Sequence, residues 1–433
     1  MVIFSGVMTG LGAGVYINGS SILFKPIATD LVLSRAATSL ATAIGRLEGG
    51  LEAPLTGWLC DKYGPKWVII AGFLLFAGGL ILMYYVTVPW TYYVAWGVMV
   101  GIGYNLALTL AMDKVAVNWF VRKRGLAFGI RFMIIGACQV IVLPVLTWLV
   151  ITYGWRSTCL MWAVIAFIGI PLTWFLIKQE RPEHYGLLPD GTNPSMATVY
   201  AKDDIYQQGL EYAENFQEKE FTLKQAVKTQ AYWLICLAWS VHILVTGAFS
   251  IHVIPFLTDM DITPTVAGGM MSMMVFFTIP SRLGAGILAD RVPKSRLQFI
   301  AAGAFLLQAL GIAAFMIQPG IPMAYVMLIL YGLGNGAPTP IRLSIGGRFF
   351  GRKAFASILG STMLVTAPVS MVAPIYAGWI FDTTGSYDNA FILFAALLGI
   401  AALLVSFVRP PIAPVNTGQS YQDSNNKPQY YHQ

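Results

Sequence analysis

The chain has 433 residues, of which 57% are hydrophobic and only 11% charged, with a mean hydropathy of +0.66 and a formal net charge of +7. Soluble domains carry roughly 25% charged residues, so the composition excludes an ordinary soluble protein and points to one that crosses a membrane many times. The surplus of positive charge is read below as topology and does not imply a nucleic-acid partner.

A bilayer-spanning helix needs about 20 weakly polar residues. Windows of that length recur near 1–24, 36–59, 66–87, 91–113, 125–152 and 156–178, and again near 230–256, 264–289, 296–317, 322–345, 355–380 and 388–408. They are numbered here as spans 1 to 12. The pattern predicts an all-α membrane protein with an N-terminal six-helix bundle over 1–178 and a C-terminal six-helix bundle over 230–408. A polar linker over 179–229 joins them, and the polar tail over 409–433 lacks the apolar content to fold. Span 1 begins at Met1 with no charged leader, so no cleavable signal is read and a segment upstream stays open.

In chain order, the polar groups of spans 1, 4 and 10 best placed to orient a small ligand are Tyr16 and Asn18, Tyr104 and Asn105, and Tyr331 and Asn335. Span 2 carries a small-residue stripe, Gly45, Gly49, Ala53 and Gly57, against which another helix can pack closely. Its Glu48 and Glu52 are four apart on a neighbouring face, and two carboxylates so close in a low dielectric resist double ionisation. A proton-coupled carrier can use such a pair; a buried charge network that holds one side shut is the equal alternative. Arg46, on the other side of span 2, needs a partner from another helix. Arg131 in span 5 either pairs with Asp113 at the end of span 4 as a gate or joins Arg282 in holding a dianion. His242, in the middle of span 7, is read either as a hydrogen-bonded packing residue or as a titrating ligand contact.

Arg282 lies eight residues before Asp290, about 12 Å inside the end of span 8. A guanidinium there needs an anion, a partner or water, and it suits a carboxylate, which it can grip through two parallel hydrogen bonds. A structural ion pair between the halves is the alternative. Lys62, Lys66, Arg122, Lys123, Arg124, Arg291, Lys294, Arg296, Arg348, Arg352 and Lys353 crowd the loops on one side. That bias puts both termini and the linker in the cytoplasm. Trp58, Trp90 and Tyr92 are expected as interface anchors. The cysteines and histidines have no metal-ligand spacing, and no nucleophile, phosphate-loop or metal motif is present, so neither an enzyme nor a cofactor or metal site is expected.

Two segments repeat across the halves. Gly57-Trp-Leu-Cys-Asp61-Lys62 matches Gly286-Ile-Leu-Ala-Asp290-Arg291 at an offset of 229, and Arg122-Lys123 matches Arg352-Lys353 at 230. These paired loops after spans 2 and 8 resemble the signature of the major facilitator superfamily, and the resemblance covers essentially the whole chain. Ser34-Arg-Ala-Ala, the run from Trp119 to Gly129 and Thr222-Leu-Lys-Gln-Ala are similar to the oxalate:formate antiporter and monocarboxylate transporter branch. The resemblance implies that Arg282 binds a substrate carboxylate. It also implies that Asp61 and Asp290 cap spans 11 and 5 and engage Arg122, Arg124, Arg352 and Lys353 as a cytoplasmic gate. This chain departs from the oxalate exchanger at Met363, where that family member has a lysine, and at Asn335 and Thr339, which replace aromatics. The monocarboxylate carriers' aspartate one turn before the span-8 arginine is Thr278 here.

The expectation is a secondary transporter of small organic anions, foremost monocarboxylates, working by alternating access as a monomer in the plasma (inner) membrane. Its partners are a small carboxylate, the lipid bilayer and, in the symport case, protons; the other case is anion exchange. The alternatives are a carrier of neutral or cationic solutes and a non-transporting receptor of the same fold.

Overall fold

A computed structural model describes residues 1–33, 35–179, 181–185, 187–191, 220–370 and 372–412, and among these the regular elements are all helices. Span 1 runs as Val2–Ala13, a π-helical turn Gly14–Asn18 and then Gly19–Asp30. Span 2 is Arg35–Tyr63 and span 3 is Pro65–Tyr84. Span 4 passes through Pro89–Tyr92, π-helical Tyr93–Val100, Gly101–Leu108 and Leu110–Trp119. Spans 5 and 6 share one hydrogen-bonded stretch, Arg124–Leu176, broken at Gly154, whose φ of +78° suits glycine and little else. Spans 7, 8 and 9 are Gln230–Thr258, Pro264–Arg291 and Leu297–Ile317. Span 10 is Ile321–Gly336 with Pro338–Phe350, span 11 is Phe355–Ser370 with Val372–Thr384, and span 12 is Asp388–Ser406.

Seven of the described helices are long and apolar enough to cross a membrane on length and composition alone. The double-length stretch over spans 5 and 6 counts once in that tally, and span 2 carries Arg46, Glu48 and Glu52 in its interior. Prolines open spans 3, 4 and 8 at their first turn, where a missing N–H costs nothing. Trp58 and Trp90 are exposed as expected of anchors, whereas Tyr92 is buried and donates to the carbonyl of Thr38. Its hydroxyl has a backbone partner inside the bundle, so it needs no headgroup layer.

The first half has one apolar core, running from Met8 to Ile177. The second half has two, one built on Ala231 to Trp239 of span 7 and the other on Val245 to Leu257. Between them span 7 carries Ser240 and His242, a polar layer at the depth where span 10 carries Asn335.

The halves meet along two seams, span 2 against span 11 and span 5 against span 8. Glycines set the closeness of both. A Cβ added at Gly57 would strike the carbonyl of Ala356, and one at Gly360 the carbonyl of Ala53. Gly125 and Gly286 face each other in the second seam, each leaving room only for the other's carbonyl. The closest backbone approaches lie toward the ends of these spans that carry Asp61 and Asp290, called the aspartate end below, and the seams continue inward to Gly50 against Ala367 and Gly136 against Arg282. A Gly57→Val substitution is expected to cost about 1–3 kcal/mol through overpacking and to lengthen the spin-label distance between spans 2 and 11 at that end. An unchanged distance would count against backbone contact as what holds the seam.

Candidate substrate site and gate

Asp61 and Asp290 end spans 2 and 8 with their carboxylates on the opposite half. Asp290 accepts from the amides of Gly125 and Leu126, both at 2.7 Å, at the start of span 5. Asp61 accepts from the amides of Ser357 at 2.8 Å and Ala356 at 3.4 Å, at the start of span 11. Amides at a helix start have no intrahelical acceptor, and the helix dipole favours an anion there. The cations on these carboxylates differ from expectation. They are Lys114 of the last helix of span 4, 2.7 Å from Asp61, and Arg348 in the last turn of span 10, 3.2 Å from Asp290.

The loop arginines are engaged elsewhere because the linker brings its own acids to them. Arg352 reaches Glu183 at 2.9 Å in a pair that is almost fully buried, and also donates to the carbonyl of Asn118. Arg124 donates to the carbonyl of Phe120 at 3.0 Å and packs on Gly347. Arg122 is exposed, and its amide, with those of Val121 and Lys123, donates to Asp190 at 2.8–3.2 Å. Glu220 accepts from the amide of Lys353 and pairs with Arg181 at 2.8 Å. Asp190 and Glu220 thus sit on amides of residues 123 and 353, which are equivalent in the repeat.

A cavity of about 450 Å³ opens between spans 1, 2, 4 and 11, lined by Tyr16, Gly49, Glu52, Asn105, Met363 and Thr366 among others. The glycine stripe of span 2 makes this space. Cβ atoms at Gly45 and Gly49 would collide with the Tyr16 hydroxyl and the Asn105 amide, so the stripe admits these side chains as well as a neighbouring helix. Tyr16 is held between Trp96 and Tyr104, with ring centroids 5.7 and 5.1 Å away. Glu52 borders the cavity, and Glu48 points toward Gly101 of span 4. Both Glu48 oxygens and Oε1 of Glu52 are buried without a hydrogen-bond partner. The side chains of Arg46 and Asn18 lie outside the described residues.

Arg131 is fully committed inside the first half. Its guanidinium forms an ion pair with Asp113 and donates to Ser5 at 2.6 Å, to Thr9 at 3.0 Å and to the carbonyl of Leu108 at 3.3 Å. A dianion site shared with Arg282 is therefore not formed in this state. Arg282 faces the seam with span 5, where it lies against Gly136 and donates to the carbonyl of Phe132 at 3.2 Å. It has no carboxylate partner among the described residues, and it does not border the cavity.

The remaining candidates gather within the second half. Thr246 is their hub, 3.5 Å from Nδ1 of His242, 3.5 Å from Oδ1 of Asn335 and 3.4 Å from the Tyr331 hydroxyl. His242 stacks on Phe305 and Tyr331 on Phe249. The candidate ligand-orienting residues thus fall into a first-half group at the cavity and a second-half group around Thr246, with Arg282 apart from both at the seam. Sequence reading missed Thr246, Lys114, Arg348 and Arg342. The three cations are visible as charges inside or at the ends of spans; Thr246 carries no such signal.

The fold has counterparts among known proteins. The family profile described as Major Facilitator Superfamily matches residues 2–374. The chain belongs to that superfamily. As a major facilitator transporter it is a multi-pass membrane protein and not an enzyme. It is 25% identical over 412 residues to monocarboxylate transporter 12 of Xenopus laevis, covering 91% of this chain and 86% of that protein. It is 23% identical over 390 residues to the probable sulfoacetate transporter SauU of Cupriavidus necator, covering 82% and 81%. In fold it is similar to the proton:xylose symporter XylE, with a TM-score of 0.71 and 14% identity over 94% of this chain and 95% of that one.

The Arg131 network gives a stability prediction. Arg131→Met leaves Asp113 buried without its cation and is expected to cost about 3–5 kcal/mol, read as a fall in thermal unfolding temperature. Asp113→Asn in the Arg131→Met background should recover part of the loss. No recovery would mean that the ion pair is not the source of the cost.

Proposed function

We propose that this transporter moves small organic anions, chiefly monocarboxylates, by alternating access between its two six-helix halves. The observation that carries the reading is Arg282. A guanidinium deep in span 8, facing the other half, uses one carbonyl and no carboxylate among the described residues. Such a charge is costly in a membrane interior, and an acidic cargo is a fitting partner. The relatives named for monocarboxylates and sulfoacetate support the same class.

Glu48 and Glu52 favour proton symport over anion exchange. Their buried oxygens lack hydrogen-bond donors, so a proton is the simplest way to neutralise them. The same Glu52, as a cavity-lining acid, is what favours the second reading, a neutral or cationic cargo. The basic loops support a reading in which the aspartate end, both termini and the linker face the cytoplasm at the plasma (inner) membrane. Closure there corresponds to the state that faces outward, with the transporter acting as a monomer.

Two measurements test this. In proteoliposomes with an inward proton gradient, uptake of pyruvate is expected in the wild type, and binding by Arg282→Ala should weaken by about tenfold or more, the equivalent of about 1.4 kcal/mol. Full affinity in that variant would remove Arg282 from the site. Asp61→Asn should lower turnover severalfold with affinity retained, because it loosens closure at the aspartate end and leaves the cavity intact. Wild-type turnover would argue against a gating role.

A further inference from the structure

Arg342 is a second arginine of the second half without an acid of its own among the described residues. It lies in Pro338–Phe350 of span 10 and keeps accessible surface although it sits among spans 4, 7 and 11. One terminal nitrogen donates to the hydroxyl of Thr362, and Nε is buried without a hydrogen-bond partner. A guanidinium has five N–H donors, and Thr362 is its one hydrogen-bonded partner among the described residues. Tyr232 and Cys236 of span 7 and Asp113 of span 4 are the groups that act on it electrostatically. Asp113 is already the ion-pair partner of Arg131, so Arg342 has no carboxylate in ion-pair contact among the described residues and its positive charge is left over.

The position of this surplus is informative. Thr109 and Leu110 of span 4, with Met363 and Thr366 of span 11, border the cavity. Asp113 is one turn beyond Thr109, and Thr362 is one turn before Thr366, in both cases toward the aspartate end. Arg342 therefore lies beneath the cavity floor, about one helical turn or 5 Å further in. Among the described residues the cavity lining holds no arginine or lysine, so Arg342 is reached only from its floor.

We propose that Arg342 holds the carboxylate or sulfonate group of the substrate at the floor of this cavity. The inference rests on the anion-carrier reading and locates the acid end of the cargo within it. In this state Arg282 does not border the cavity, and the planar fork of Arg342 is what recognises the acid.

Equilibrium binding of pyruvate and of sulfoacetate to the purified full-length protein tests this, with wild type, Arg342→Gln, Arg342→Lys and Thr362→Val compared at one pH. Arg342→Gln is expected to raise Kd for both probes at least tenfold and Arg342→Lys at least threefold. Thr362→Val keeps the charge and should change Kd less than threefold. Wild-type affinity in Arg342→Gln overturns the proposal while leaving anion transport standing. Equal losses in Thr362→Val and Arg342→Gln also overturn it, since they would mark a packing role. If Arg342→Gln does not fold, an unchanged Kd in Arg342→Lys is sufficient to reject it. A wild type that binds neither probe removes the anion-carrier reading, and this inference with it.

Discussion

Two carboxylates seated on the first amides of helices from the opposite half are the interaction on which this architecture depends. Asp61 and Asp290 satisfy donors that a helix start cannot satisfy itself. They do so across an interface, so each half completes the other's backbone. The glycine seams follow from this. A carboxylate can reach an amide on another helix only if the two backbones nearly touch, and Gly57, Gly125 and Gly286 are the residues that permit it. Lys114 and Arg348 then answer the residual negative charge. Further along span 2 the glycines at Gly45 and Gly49 give their space to Tyr16 and Asn105, and there the cavity opens.

Charges inside the spans divide by whether the protein answers them. Arg131 and Asp113 are answered, with every side of the guanidinium bonded inside the first half. That pair is architecture. Arg282 and Arg342 in the second half are not answered by a carboxylate of their own among the described residues, and neither are Glu48 and Glu52 by a hydrogen-bond donor. An uncompensated charge in low dielectric is expensive, so these four residues are where cargo and protons have most to offer. The acids belong to the first half and the free arginines to the second. A carrier built this way keeps its two kinds of unmet charge on opposite sides of the path.

Much of the fold was legible because lipid imposes a coarse rule: about twenty apolar residues per crossing. That rule, with the repeat at 229 residues, gave the twelve spans and the pairing of Asp61 with Asp290. The helix breaks were not legible, since the π-helical turns at Gly14–Asn18 and Tyr93–Val100 leave no periodic mark in an all-apolar stretch. The site was legible residue by residue and poorly as an assembly. Tyr16, Asn105 and Glu52 do share a cavity, but which helix face points inward depends on packing, and this separated Arg282 from them. The gate shows the same limit. Its carboxylates were readable from the repeat, whereas their cations come from helix ends above the basic loops that drew attention. Arg342 was overlooked because a charge near a span's end reads as an interfacial anchor when depth is counted from sequence alone.

The linker shares in the symmetry of the bundles it joins. Asp190 and Glu220 sit on equivalent amides, and Glu183 reaches the C-terminal half's Arg352 from the N-terminal side. Separation of the halves at this end must therefore break the Glu183–Arg352 pair together with the contacts of Asp61 and Asp290. These bonds give way jointly, since none can lengthen much before the others are lost. In the proposed alternating-access cycle, opening at this end is then a threshold event, in which the halves stay together until every clasp is released in one stroke.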